Sequence, residues 1–251
     1  MDKVDEFKPR RGVKVLHPED QNPGNWEQFF TLFEDVGRGE TIRDHRRKRH
    51  VKLSLEGQEY YCKIYTFRHS DRFWDRFRGS GFAWAKSKAR QHLENAQRME
   101  KLGLNTVPIE MVIERRYKVI KQEGMIISKS ITGKTLKETI VENDYADWKP
   151  FVEQCIKDLC RLHQGGFLHG DAHTGNCILG NERIWWCDFG TLSKRAPRKK
   201  RKEELENFLK VVLEHHNGSR LSKDELTNLL SIYSDEKISE PVIENIIEMD
   251  V

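Results

Sequence analysis

Asp171 stands five residues ahead of Asn176, and Asp188 opens an Asp-Phe-Gly tripeptide a short distance further on. Carboxylate and carboxamide oxygens are the hard donors that hold a divalent cation, and a positioned carboxylate can also orient a hydroxyl and take its proton. Together they suit in-line phosphoryl transfer, in which positioning and charge neutralisation supply most of the catalysis. A lone Asp more often caps a turn. Three such residues in this order and spacing point to one site, with Asp171 as catalytic base and Asn176 and Asp188 as metal ligands.

The flanking pattern presents these groups. Phe151, Val152, Cys155, Ile156, Leu159, Cys160 and Leu162 recur at helical spacing, and the helix is expected to stop at Gly165-Gly166, where glycine tolerates the left-handed backbone of a helix end. After Asn176, the apolar runs 177–179 and 184–187 are joined by Gly180-Asn181-Glu182-Arg183, a predicted β-hairpin that carries the chain from Asp171 to Asp188 on opposite sides of one cleft. His173, inside the loop, reads as a brace or an acceptor contact rather than a zinc ligand.

The order matches the protein-kinase plan, which also needs a strand Lys for the nucleotide phosphates and a helix Glu to aim it. Glu59-Tyr60-Tyr61-Cys62-Lys63-Ile64-Tyr65 has strand character and offers Lys63; a strand Lys can equally be a solvent-facing residue. Residues 87–102 read as a helix ending at Gly103, with Glu94 as the chosen partner and Glu100 as the alternative. Gly37-Arg38-Gly39 precedes that strand and makes Gly37 and Gly39 candidate phosphate contacts, although a third glycine is lacking and a plain hairpin turn fits too. Gly124 to Lys129 forms an apolar strand leading to Gly133, where backbone groups would receive adenine.

Several departures from that plan disfavour a protein substrate. The loop reads His169-Gly170-Asp171, so the Arg that pairs with a phosphorylated activation loop is absent. Ala196-Pro197-Arg198 follows Asp188 too closely for a peptide-docking segment, and the short remainder of the chain implies a reduced helical lobe.

The chain resembles the bacterial lipopolysaccharide core sugar kinases, most closely the core heptose kinases, from about residue 36 to residue 208. The resemblance rests on Cys62-Lys63-Ile64-Tyr65, on Leu93-Glu94-Asn95-Ala96-Gln97-Arg98 leading to Gly103-Leu104-Asn105-Thr106, and on Gly170-Asp171-Ala172-His173-Thr174-Gly175-Asn176, with the basic segment after Asp188 extending it. It implies a eukaryotic-like kinase fold that phosphorylates a sugar hydroxyl of the lipid A core at the cytoplasmic face of the inner membrane, with ATP and Mg2+. A Kdo kinase, another small-molecule or protein kinase, and a non-catalytic ATP-binding module remain alternatives.

The 251 residues suit one catalytic unit of α+β class, a two-lobed protein-kinase-like fold with a β-rich N-lobe and a reduced helical C-lobe. The expected divisions are a polar N-terminal arm over 1–25, an N-lobe over 26–131 and a C-lobe over 132–251. No apolar stretch approaches the length of a signal core or a membrane span, which predicts a cytoplasmic protein. Cys155, Cys160, Cys177 and Cys187 read as buried reduced thiols. Towards the C-terminus, Ser222 and Glu225 form a capping box, Pro241 is expected to start a last helix, and adjacent His215 and His216 do not make a metal site.

The net charge is only +4, yet the runs 43–49 and 194–202 are strongly basic. Such runs mark solvated loops, a polyanionic acceptor or an anionic membrane surface; no nucleic-acid partner is expected. Phe67, Phe73, Trp74, Phe77, Phe82 and Trp84 alternate with Arg68, Arg72, Arg76 and Arg78, which fits peripheral membrane contact or packing on the small lobe.

Overall fold

The computed structural model describes residues 4–9, 12–18, 26–34, 40–45, 48–65, 86–117, 121–215 and 221–248. Gly37, Gly39, Arg46, Arg47, His216 and the aromatic segment 67–84 lie outside the described residues. The chain forms two compact units, one of Met1–Gln97 with Val107–Ser130 and one of Arg98–Thr106 with Ile131–Val251.

The first unit is built on a seven-stranded sheet. Its strands are β1 (Val4–Phe7), β2 (Val13–Pro18), β3 (Glu40–His45), β4 (Lys48–Leu55), β5 (Gln58–Tyr65), β6 (Ile109–Tyr117) and β7 (Lys121–Lys129), in spatial order β1-β2-β6-β7-β5-β4-β3. Strand alternation sends successive side chains to opposite faces. One face buries Val15, Cys62, Ile64, Ile113, Met125 and Ile127 with Phe29, Phe30 and Leu32 of helix α1 (Trp26–Glu34). The other face carries Lys63 opposite Ile126, and Tyr65 opposite Gly124. Helix α2 (Lys88–Lys101) approaches that second face, since a Cβ on Gly124 would fall 2.7 Å from the Ala89 Cβ.

Residues 4–7 and 13–18 are therefore strands of the sheet, where a polar arm was expected. The buried side chains of Val13, Val15 and Leu16 explain the difference: Lys14 and the buried His17 make a core strand look polar in sequence. Of the basic run, residues 43–45 lie in β3 and 48–49 in β4, and Arg49 is buried with its guanidinium donating to Thr41 Oγ1 at 2.7 Å.

The second unit is mostly helical, with β8 (Lys134–Thr135), β9 (Cys177–Gly180) and β10 (Arg183–Trp186) forming a small sheet. Its helices are α3 (Leu136–Glu142), α4 (Tyr145–Gln164), α5 (Arg198–His215), α6 (Lys223–Leu230) and α7 (Glu236–Glu248). Trp148, Ile156, Leu159, Phe208, Leu229 and Val242 are fully buried among them, and each such side chain contributes about 1.5–3 kcal/mol. The hairpin of β9 and β10 and the Ser222 capping box form as expected. Pro241 lies inside α7 rather than at its start, because the helix already begins at Glu236. Residues 98–106 group with this unit and not with the expected N-lobe: Trp186 N–H donates to Asn105 O at 2.9 Å, and Thr106 bridges Trp186.

Candidate active site

The loop that carries Asp171 begins where α4 ends. Gly166 has φ +81°, Gly166 N–H donates to His163 O at 3.1 Å, and Phe167 N–H donates to Leu162 O at 3.0 Å. This pair of bonds is the glycine-based stop anticipated from Gly165-Gly166. Leu168 then exchanges backbone hydrogen bonds with Ser193, at 3.0 and 2.9 Å.

Asp171 is half exposed, which leaves its carboxylate open to solvent. Asn176 is buried, and its Nδ2 donates to Asp171 O at 2.9 Å and Oδ2 at 3.4 Å. With the amide nitrogen directed at Asp171, Asn176 Oδ1 is the atom left to face a cation. Cys187 N–H donates to Asn176 O at 2.9 Å, which places Asp188 one residue from that contact. The structure thus brings Asp171, Asn176 and Asp188 together.

Asp188 adopts a left-handed backbone, φ 58° and ψ 64°. A non-glycine residue there costs about 1–3 kcal/mol, a strain typical of functional sites. Among the described residues no group of three or more His, Cys, Asp or Glu side chains forms a metal cage. The Asp188 carboxylate and the Asn176 amide oxygen, completed by phosphate oxygens and water, nevertheless match what Mg2+ takes. His173 caps the short 3-10 turn Thr174–Asn176 by accepting from Gly175 N–H at 3.1 Å, and its Nε2 lies 3.8 Å from Asp171 Oδ1. It is the brace the sequence suggested.

A buried polar network that sequence analysis missed lies behind the loop. Glu204 of α5 accepts from His169 N–H at 3.1 Å and Gly170 N–H at 2.5 Å. His163 bonds Glu204 through Nε2 at 2.8 Å and Tyr233 OH through Nδ1 at 2.6 Å. Burial raises the Glu204 pKa, but the bonds from His163 and Gly170 outweigh it, and the net shift is downward. Gly170 has φ +80°, and a Cβ there would fall 2.6 Å from Thr191 O, so glycine is required where protein kinases carry Arg.

The His169 ring is fully buried between Trp186 and Phe189, with centroids at 5.1 and 6.4 Å, and neither ring nitrogen has a partner. Burial pulls its pKa down, against the fields of Glu204, Asp171 and Asp188, so the ring stays neutral. Cys155, Cys160 and Cys177 are buried free thiols as expected, whereas Cys187, next to Asp188, is only half-buried.

In the first unit, Lys63 is buried, and its Nζ lies 5.9 Å from the Tyr65 ring centroid. Tyr65 OH meets His92 Nε2 at 3.0 Å, which fastens β5 to α2 within two residues of both Lys63 and Glu94. Glu94 accepts from Lys86 Nζ at 2.8 Å and Arg90 Nε at 3.4 Å, and Arg90 also reaches Glu6 of β1 at 3.6 Å. Glu100 instead accepts from Thr106 Oγ1 at 2.5 Å, tying down the turn after α2.

No protein-family model matches the chain. It is 27% identical over 74 residues to the KEOPS complex subunit Bud32 of Pyrococcus abyssi, a match covering 30% of this chain and 34% of that protein. The matched region thus spans about a third of the curated relative's length. Among solved structures, WaaP in complex with acyl carrier protein aligns with a TM-score of 0.59 at 16% identity, over 91% of this chain and 97% of that one. Likeness at that level is a likeness of fold: the chain has the two-lobed, α+β protein-kinase-like fold, with a β-rich N-lobe and a reduced helical C-lobe.

Proposed function

We propose that the chain is an ATP-dependent phosphotransferase acting on a sugar hydroxyl, a heptose of the lipopolysaccharide inner core. The observation that carries it is the pairing of Asn176 with Asp171 on a loop held by Glu204 and Ser193, with Asp188 one residue beyond the Cys187 N–H bond to Asn176 O. Asp171 orients the acceptor hydroxyl and takes its proton. Asn176 Oδ1 and the Asp188 carboxylate would hold Mg2+, which neutralises charge on the phosphates when bound. Lys63, aimed by Glu94, grips the nucleotide phosphates, and the backbone near Gly133 receives adenine.

Three features favour a sugar over a protein acceptor. Gly170 removes the cation that reads a phosphorylated activation loop, and only a short segment separates Asp188 from α5. The sequence motifs of Lys63, Glu94 and Asp171 resemble the lipopolysaccharide core heptose kinases, and the chain shares its fold with the WaaP structure. No helix of the described residues is long and apolar enough to cross a membrane. Contact with the inner membrane is accordingly proposed as peripheral, at its cytoplasmic face.

Replacing Asp188 by Ala tests the metal-binding role. Turnover is expected to vanish together with Mg2+-dependent tightening of ATP binding, measured by calorimetry. Retained turnover overturns the site.

A further inference from the structure

Residues 194–202 contain seven cations and no acid. Glu203 takes Lys200 at 2.6 Å, and Asp235 takes Arg201 at 3.5 Å. Lys194, Arg195, Arg198, Lys199 and Lys202 have no ion pair among the described residues, and the first four are exposed. Solvated surfaces normally mix the two signs, because like charges held side by side repel.

Both ends of this segment are fastened to the chain leading into Asp171. At one end Ser193 shares two backbone hydrogen bonds with Leu168. At the other, Glu204 holds the N–H groups of His169 and Gly170. The unpaired cations therefore sit on an arch whose two feet stand on residues 168–170, immediately before the proposed base. Four hydrogen bonds must break before the arch can leave the loop.

Resting on the phosphotransferase reading above, we propose that the arch is the anion-binding wall of the acceptor subsite, and that the acceptor already bears phosphate groups apart from the hydroxyl to be modified. Arg195 and Arg198 can take phosphate oxygens in pairs, and the lysines add point charge. Because those phosphates must be present beforehand, the chain acts downstream of a separate phosphoryl-transfer reaction on the same acceptor.

The test uses the full chain and two water-soluble, deacylated core oligosaccharides with unphosphorylated heptoses, one carrying phosphate on its reducing-end sugars and one stripped of it by phosphatase. Wild type is expected to show a KM at least about tenfold lower for the phosphate-bearing acceptor. The triple variant Arg198→Gln, Lys199→Gln, Lys202→Gln should erase that preference, while KM for ATP moves less than about twofold. Arg198 and Lys199 are exposed, Lys202 is half-buried, and none has an ion pair among the described residues, so thermal unfolding should be unchanged, and Lys199→Arg with Lys202→Arg should retain the preference. Equal KM values for the two acceptors in wild type overturn the inference. So does a triple variant that keeps the preference and loses only sedimentation with anionic vesicles, or only retention of nucleic acid or of an acidic carrier protein. Should wild type transfer to neither acceptor, calorimetry separates the two ideas. Phosphate-dependent binding lost in the triple variant keeps the arch and removes the transfer reading; no binding removes both.

Discussion

The Glu204 carboxylate holds the Gly170 N–H at 2.5 Å, so a side chain from α5 fixes the backbone one residue before Asp171. Its other oxygen takes the His169 N–H and the His163 ring, which in turn holds Tyr233. One buried carboxylate of the helical unit thereby fixes the backbone leading into Asp171, whose side chain remains exposed.

Glu204→Ala leaves two backbone donors and a buried imidazole without their acceptor, which costs about 2–5 kcal/mol. Denaturant unfolding should show that loss. Glu204→Asp, which keeps the charge with a shorter reach, should unfold later than the Ala variant. It should also lower kcat more than it changes KM for ATP. A Glu204→Ala protein as stable and active as wild type contradicts the role.

The buried His169 ring predicts a pH limb. Its folded-state pKa lies below the ordinary value of 6.5 because burial disfavours the charged ring. As pH falls below 6.5 the unfolded chain takes up a proton first, so this contribution to stability is full above that value and is lost towards the lower folded value. Thermal melts recorded from pH 7.5 downward should show the decline. His169→Phe should flatten it while shifting neutral-pH stability by less than about 1.5 kcal/mol, since neither ring nitrogen has a partner to lose. An unchanged pH slope in that variant assigns the limb elsewhere.

Glu94 and Glu100 should separate cleanly in kinetics. Glu94→Gln is expected to raise KM for ATP by about tenfold, by loosening the aim of Lys63. Glu100→Gln weakens the Thr106 contact and should appear as a small loss of stability, with KM for ATP unchanged. A reversed pattern makes Glu100 the Lys63 partner.

The parts of this site that were legible in the sequence lie close together along the chain. Asp171, Asn176 and Asp188 fall in one loop and hairpin, and the Gly166 helix stop and the Ser222 capping box are local signals with local causes. Glu204, His163 and Tyr233 were not legible, because their contacts join residues 34 to 70 positions apart and nothing in a helical Glu or His announces its partner. Strand β2 was hidden because Lys14 and His17 interrupt its apolar residues, although His17 is buried together with Val13, Val15 and Leu16. Pro241 misled in the other direction: proline is favoured early in a helix, but α7 starts several residues before it.

Mass spectrometry of a core oligosaccharide with unphosphorylated heptoses, incubated with ATP, Mg2+ and either wild type or Asp171→Ala, tests the central claim most directly. The account predicts one added phosphoryl group on a heptose with wild type and none with Asp171→Ala, although both proteins bind ATP. Equal phosphoryl gain with the two proteins, or none with wild type despite ATP binding, would contradict it.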